Sequence, residues 1–274
     1  VYLAKKGADG TTTVVPGRFK ECRAVGWYIE EFGRAQVSIN LTNYKVTPLH
    51  EVFDAACEEA AKLGLRVTGS ELVGLIPREA LLAAGDHYLA KQGKTNGVPE
   101  RERVHTAVLS LGLSELATFD ASLKVIEYRY AGGPSGLVAM TVRDFTDELS
   151  SGSPAPGGGS VAALCGALSA SLVAMVAALT WSKTGMEAAR PAMKAAGADA
   201  QTLKDWFLGA VDRDTEAFNA VLAAMRLPKT TEAEIATRAG SIECAGQGAA
   251  KVPLDVLEAT IRALELSLQT VNDG

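Results

Sequence analysis

The segment from Ser153 to Ser160 (SPAPGGGS), opening directly into the Ala/Ser/Gly-rich stretch Val161 to Leu179, constrains the chain most. Two prolines stop any preceding element, and three glycines admit backbone conformations closed to other residues. Ser160 reads as the N-cap of the helix that follows, leaving free N–H groups and a positive dipole end aimed at whatever lies in front. That helix is built from Ala162, Ala163, Gly166, Ala167, Ser169, Ala170, Ser171, Ala174, Ala177 and Ala178, small side chains on several faces that let neighbouring backbones approach closely. Gly157, Gly158, Gly159 and Ser160 are therefore either a loop that holds an anionic ligand or a plain connector before a buried helix. No Gly-Lys-Ser/Thr follows, so this is not a Walker loop.

Bulk properties exclude several classes. A net charge of −5 and the lack of a dense Lys/Arg stripe argue against a nucleic-acid partner. Cys22, Cys57, Cys165 and Cys244 are far apart and the three histidines equally dispersed, so no metal is expected. Free thiols fit a reducing compartment. The apolar run after Val161 carries Ser and Gly throughout and has no flanking cationic cluster, so it reads as a core helix and not a membrane span. No signal peptide is visible. Val1 stands where an initiator Met would, and Ala4 to Gly17 reads as polar connector. A closing amphipathic helix from about Pro253 runs through Leu254, Leu257, Ile261, Leu264 and Leu268. The chain reads as an internal piece.

Two halves of different class are expected. Val25, Trp27 and Ile29, then Val37, Ile39 and Leu41, alternate on either side of a turn at Phe32 and Gly33, which predicts a β-hairpin with one buried face. Thr47 and Pro48 predict an N-cap and first helical residue, the helix ending at Gly64. Strands are expected near Leu65 to Thr68 and Val125 to Tyr130, with another apolar run at Leu72 to Ile76. Helices are expected from Pro77 to Ala84 and Glu100 to Leu111. The Gly/Pro/Ser stretch from Ala131 to Gly136 marks a linker, placed at 132–141. Residues 1–131 thus read as α+β and 142–274 as an all-α bundle.

One helical stripe carries an anomaly. Leu203, Phe207, Val211, Phe218, Val221, Leu222 and Met225 recur at steps of three and four, and Asp214 occupies the stripe where an apolar residue belongs. A carboxylate on a buried face is costly unless paired, hydrogen-bonded or protonated, which is how a general acid/base is tuned. It equally suits a buried hydrogen bond or a helix-edge position. Asp212, Arg213 and Glu216 fall off the stripe and read as solvated. At the hairpin, Trp27 and Tyr28 precede Glu30, Glu31, Gly33 and Arg34, so a planar polar ligand or an ordinary charged turn would fit. His50, His87 and His105 have no Ser or Cys partner readable from sequence. Lys183 and Arg190 could meet a ligand carboxylate or simply be solvated.

Several blocks together resemble formiminotransferase-cyclodeaminase, the bifunctional folate enzyme of histidine degradation. They are Gly26 to Ala35 (GWYIEEFGRA), Gln36 to Leu41, Thr47 to His50 and Gly69 to Pro77 for the transferase C-terminal subdomain. For the cyclodeaminase domain they are Ala155 to Ala162, Val211 to Phe218, Met225 to Pro228 and Val252 to Leu254. The resemblance implies formimino transfer from N-formimino-L-glutamate to tetrahydrofolate, then closure of 5-formiminotetrahydrofolate to 5,10-methenyltetrahydrofolate with loss of ammonia. It implies tetrahydrofolate as substrate and carrier, no metal, and a cytoplasmic homo-oligomer. By position it makes Gly26, Trp27, Tyr28, Ile29, Glu30, Glu31, Phe32, Gly33, Arg34 and Ala35 folate-contacting. It makes Asp214 the catalytic carboxylate, with Gly157, Gly158, Gly159 and Ser160 bordering that pocket. The family's N-terminal transferase subdomain, bearing its catalytic histidine, has no counterpart here, so no transferase activity is expected of this chain alone. The alternatives are a methenyltetrahydrofolate cyclohydrolase, or a non-catalytic folate-binding or oligomerisation fragment.

Overall fold

The structure, a computed structural model, describes residues 2–6, 8, 11–31, 33–131 and 135–273. Phe32 of the hairpin motif, and Gly132, Gly133 and Pro134 of the linker, lie outside the described residues. The chain forms two compact units, Val1–Gly93 with Glu100–Ala131, and Lys94–Pro99 with Gly132–Gly274.

The first unit opens with two antiparallel hairpins. β1 (Tyr2–Lys6) pairs with β2 (Thr12–Pro16), where the sequence suggested connector; the β-branched run in β2 favours extended backbone. β3 (Cys22–Ile29) pairs with β4 (Arg34–Leu41) in a register that sets Trp27 opposite Gln36 and Gly26 opposite Val37. Directly paired residues share a face, so Val25, Trp27 and Ile29 lie on the face opposite Val37, Ile39 and Leu41. The expected single buried face does not form: Val25, Trp27, Tyr28 and Val37 are all exposed.

Helices α1 (Leu49–Lys62), α2 (Arg78–Lys91) and α3 (Glu100–Ser110) build the core of this unit with short α4 (Ala121–Lys124) and α5 (Ile126–Tyr130). Pro48 rather than Thr47 is the N-cap of α1, because the buried Thr47 hydroxyl donates to the Lys20 carbonyl at 2.5 Å. α2 runs through Gly85 instead of ending there. A Cβ on Gly85 would sit 2.2 Å from the Arg103 carbonyl oxygen, so the glycine is a notch that admits α3. Arg103 then forms two 2.6 Å bonds to Asp86. The strands expected at 65–68 and 125–130 are absent. Ile76 and Val125 make a single parallel bridge, both buried, and the Glu127 carboxylate accepts from the Arg78 N–H at 2.7 Å as α5 begins. Leu81, Ala84, Ala107, Leu111 and Val125 form the centre of the cluster.

The second unit is helical, as the composition shift implied: α6 (Val142–Leu149), α7 (Gly158–Ser182), α8 (Arg190–Met225) and α9 (Glu232–Asp273). Small residues set the packing. A Cβ on Gly166 would meet the fully buried Phe207 ring at 2.5 Å, so α7 and α8 close around that ring. Gly97 meets Gly197 almost backbone to backbone, its built Cβ 2.9 Å from Gly197 Cα, which seats 94–99 on α8. α9 begins at Glu232, about six turns earlier than the Pro253 start suggested, and continues through that proline. Its expected apolar stripe is solvent-facing, Leu257, Ile261, Leu264 and Leu268 being 55–63% exposed, while Val256, Ala263 and Leu266 face the core. Leu168, Leu172 and Leu179 leave a second apolar stripe open on α7. By length and composition alone α7 could also cross a membrane, with 39% of its apolar window buried.

Candidate functional site

α7 and α8 bring two of the sequence motifs together. The first four N–H groups of a helix lack intrahelical acceptors. Gly157 is the N-cap of α7, which moves Ser160 from the expected cap to the third helical position. Its N–H points across to α8, where Asp214 Oδ2 accepts it at 2.8 Å. The Ser160 hydroxyl is fully buried and lies 3.1 Å from the same Oδ2, 2.9 Å from the Val211 carbonyl oxygen and 3.2 Å from Thr215 Oγ1. The anion at this helix end is thus Asp214 itself, stabilised by the N-terminal dipole and two donors.

Gly159 makes the approach feasible. A Cβ there would stand 2.1 Å from Asp214 Oδ1 and 2.5 Å from Cγ, so any side chain would displace the carboxylate. Around Gly157 and Gly158 a Cβ would meet nothing within 4 Å, so that side of the loop is open. Oδ1 accepts no hydrogen bond among the described residues and is not sealed from solvent. Asp214 also marks where the α8 stripe leaves the core. Phe207 and Val211 below it are buried; Phe218 and Met225 above it are 38% and 50% exposed. One carboxylate oxygen is clasped and the other is free, a geometry suited to exchanging a proton with a bound molecule.

Asp212, which the wheel left solvated, has a different task. Its Oδ1 accepts the Leu137 N–H at 2.6 Å, and Gly136 (φ +79°) lies against it so closely that a Cβ would fall 2.6 Å from Oδ1. The signal was a glycine in the linker, whose partner no spacing rule supplies. Arg213 stacks on Trp206 at 5.0 Å, and Glu216 is exposed. Lys183 is exposed, and Arg190 donates to the Trp181 carbonyl at 3.2 Å.

The hairpin residues do not converge. Trp27 and Tyr28, 45% and 63% exposed, project from opposite faces, and Gly26, Glu30, Glu31, Gly33, Arg34 and Ala35 are exposed beside half-buried Ile29. Gly33, at φ +59°, closes the turn by donating to the Glu30 carbonyl at 3.1 Å.

Two histidines the sequence left unassigned pack between α1 and α2. His87, inside α2 and not beyond its end, stacks on His50 at 4.3 Å and reaches Asp54 Oδ2 at 2.8 Å. Tyr88 and Lys91 also donate to Asp54, at 3.1 and 2.9 Å. Burial alone would raise the Asp54 carboxyl, but the donors Lys91, His87 and Tyr88 outweigh it and hold it low. Burial, then His87, pull His50 below the ordinary histidine value, and its buried Nδ1 has no hydrogen-bond partner. Burial and Asp54 push the Tyr88 hydroxyl up. His105 is exposed. Among the described residues no three His, Cys, Asp or Glu side chains gather as a metal-binding group.

Two family models match the chain in order. The formiminotransferase domain covers residues 4–131 and the formiminotransferase-cyclodeaminase model covers 141–274. Formimidoyltransferase-cyclodeaminase of Mus musculus is 40% identical over 263 residues, 93% of this chain and 47% of that protein. Methenyltetrahydrofolate cyclohydrolase of Methylorubrum extorquens is 40% identical over 114 residues, 42% of this chain and 55% of its own. A solved formiminotetrahydrofolate cyclodeaminase from Thermotoga maritima covers 50% of this chain and 71% of its own at 26% identity, with a TM-score of 0.41. The chain spans about half the length of the bifunctional relative it matches. With one of these models on each half and formimidoyltransferase-cyclodeaminases running across both, the chain belongs to the formiminotransferase-cyclodeaminase family.

Proposed function

We propose that the second unit closes 5-formiminotetrahydrofolate to 5,10-methenyltetrahydrofolate and ammonia, with Asp214 moving the proton. The first unit, in this reading, serves the formimino transfer from N-formimino-L-glutamate to tetrahydrofolate. Asp214 carries the proposal, with Oδ2 held by Ser160 and Oδ1 open beside Gly159. In the cation, N10 attacks the formimino carbon, a C–N10 bond forms, and the N10 proton must reach the departing nitrogen. A carboxylate that accepts that proton and returns it to the amine lets the C–N bond break with ammonia as leaving group. One proton is moved and the cationic charge is conserved, so no further reactant is needed.

The same reading makes Gly26 to Ala35 folate-contacting, Gly157 to Ser160 the pocket border, and tetrahydrofolate a substrate and carrier. It divides the chain into a transferase part (1–131), a linker (132–141) and a cyclodeaminase part (142–274). It places the protein in the cytoplasm as a homo-oligomer. The open leucine stripes of α7 and α9 support self-association, and four unpaired cysteines suit a reducing compartment.

The relative named as a cyclohydrolase matches part of this chain, so product identity is the test. The full-length polypeptide that carries this sequence is offered 5-formiminotetrahydrofolate and, separately, 5,10-methenyltetrahydrofolate. Methenyltetrahydrofolate formed with equimolar ammonia is expected. Hydrolysis of the methenyl compound without ammonia release from the formimino compound would replace this reading with ring hydrolysis.

A further inference from the structure

The two Asp214 oxygens are treated unequally by the fold, and one residue causes it. Ser160 offers both its N–H (2.8 Å) and its hydroxyl (3.1 Å) to Oδ2, while Oδ1 has no donor and faces the Cβ-free surface of Gly159. The hydroxyl has no exposure, so it is no solvent donor that water could replace. Its one proton has two acceptors, Oδ2 and the Val211 carbonyl at 2.9 Å. An ionised carboxylate is the stronger of the two, and Thr215 Oγ1 at 3.2 Å can donate to the serine oxygen in turn. Among the described residues no charged side chain bonds to Asp214, so α7 supplies Ser160 and α8 supplies Thr215 and the Val211 carbonyl as its whole polar setting.

We propose that Ser160 is a positioning residue that holds Oδ2 of Asp214 as a fixed acceptor and thereby makes Oδ1 the oxygen that exchanges the proton. This rests on the cyclodeaminase reading and deepens it. Without the hydroxyl, the carboxylate keeps one donor and can rotate about its Cβ–Cγ bond, so neither oxygen is reserved for the substrate.

The test compares wild type, Ser160→Ala, Ser160→Thr and Asp214→Asn in the full-length polypeptide, by steady-state kinetics and urea unfolding. Ser160→Ala should lower kcat about tenfold and change KM little. Ser160→Thr keeps the N–H and hydroxyl and should restore kcat. Independently of activity, Ser160→Ala should lower the urea midpoint less in the Asp214→Asn background than in wild type. An unchanged kcat in Ser160→Ala, or strictly additive midpoints, overturns the proposal. Full activity in Asp214→Asn overturns instead the proton-transfer role of Asp214 on which the proposal rests, and the unfolding cycle still decides whether Ser160 holds Oδ2.

Discussion

Replacing Gly159 with alanine tests the site through a single methyl group. The added Cβ would lie 2.1 Å from Asp214 Oδ1, 2.5 Å from Cγ and 2.7 Å from Oδ2, against 3.4 Å for ordinary contact. The carboxylate must retreat by roughly 1 Å or more, which breaks its bonds to the Ser160 N–H and hydroxyl. Hydrogen bonds to a charged group are worth about 1.5–3 kcal/mol each. Hydration of the freed carboxylate and the better helix propensity of alanine, about 1 kcal/mol, offset part of that loss. A net destabilisation of about 1–3 kcal/mol remains, which lowers Tm by about 2–4 °C per kcal/mol in a chain of this size. Activity should suffer more, because a group displaced by about 1 Å loses on the order of a hundredfold in rate. Gly158→Ala is the matched control for stability: a Cβ there meets nothing within 4 Å, so its melting should stay near wild type. Differential scanning calorimetry reads both variants, and the methenyltetrahydrofolate assay compares Gly159→Ala with wild type. If Gly159→Ala melts like Gly158→Ala and turns over like wild type, the close approach of Asp214 to the loop is wrong.

Two further outcomes follow from the first unit. Gly85→Ala places a methyl 2.2 Å from the Arg103 carbonyl, which is backbone and has little freedom to yield, so α2 and α3 must separate. A loss of about 3 kcal/mol or more in urea unfolding, with weakening of the Asp86–Arg103 pair, is expected; a loss under about 0.5 kcal/mol would contradict it. His50 is held neutral by burial and by His87, so the unfolded chain binds its proton more readily than the folded one. Stability from this group is present above the ordinary histidine value of about 6.5 and is lost as pH falls through it. Thermal melts from pH 7.5 to 5.5 should therefore fall more steeply in wild type than in His50→Phe, and parallel slopes would remove His50 from the account.

The order of classes, α+β then all-α, was legible because periodicity survives folding: alternation of two in β3 and β4, steps of three and four in α8. Asp214 was legible for the same reason, as the one charge in an apolar stripe. What decided its setting was not. Ser160 looked like a cap by local rules, yet its bond is to a residue 54 positions away. Gly85 looked like a helix stop because a glycine that ends a helix and one that admits a neighbouring backbone are identical in sequence. Val125 to Tyr130 looked like a strand because a short apolar run does not reveal whether it pairs along its length or turns helical after a single bridge. The β3–β4 register put the two apolar sets on opposite faces, which alternation within each strand cannot foretell. Asp212 was missed because its partner is a backbone N–H in the linker.

The most direct test of the central claim is single-turnover formation of methenyltetrahydrofolate from 5-formiminotetrahydrofolate by Asp214→Asn, beside folate affinity and circular dichroism. Asparagine keeps the shape and the acceptor for Ser160 but takes up no proton at neutral pH. The account predicts a fall of about a hundredfold or more in rate, with folate affinity and helicity unchanged. A variant that turns over at the wild-type rate would contradict it.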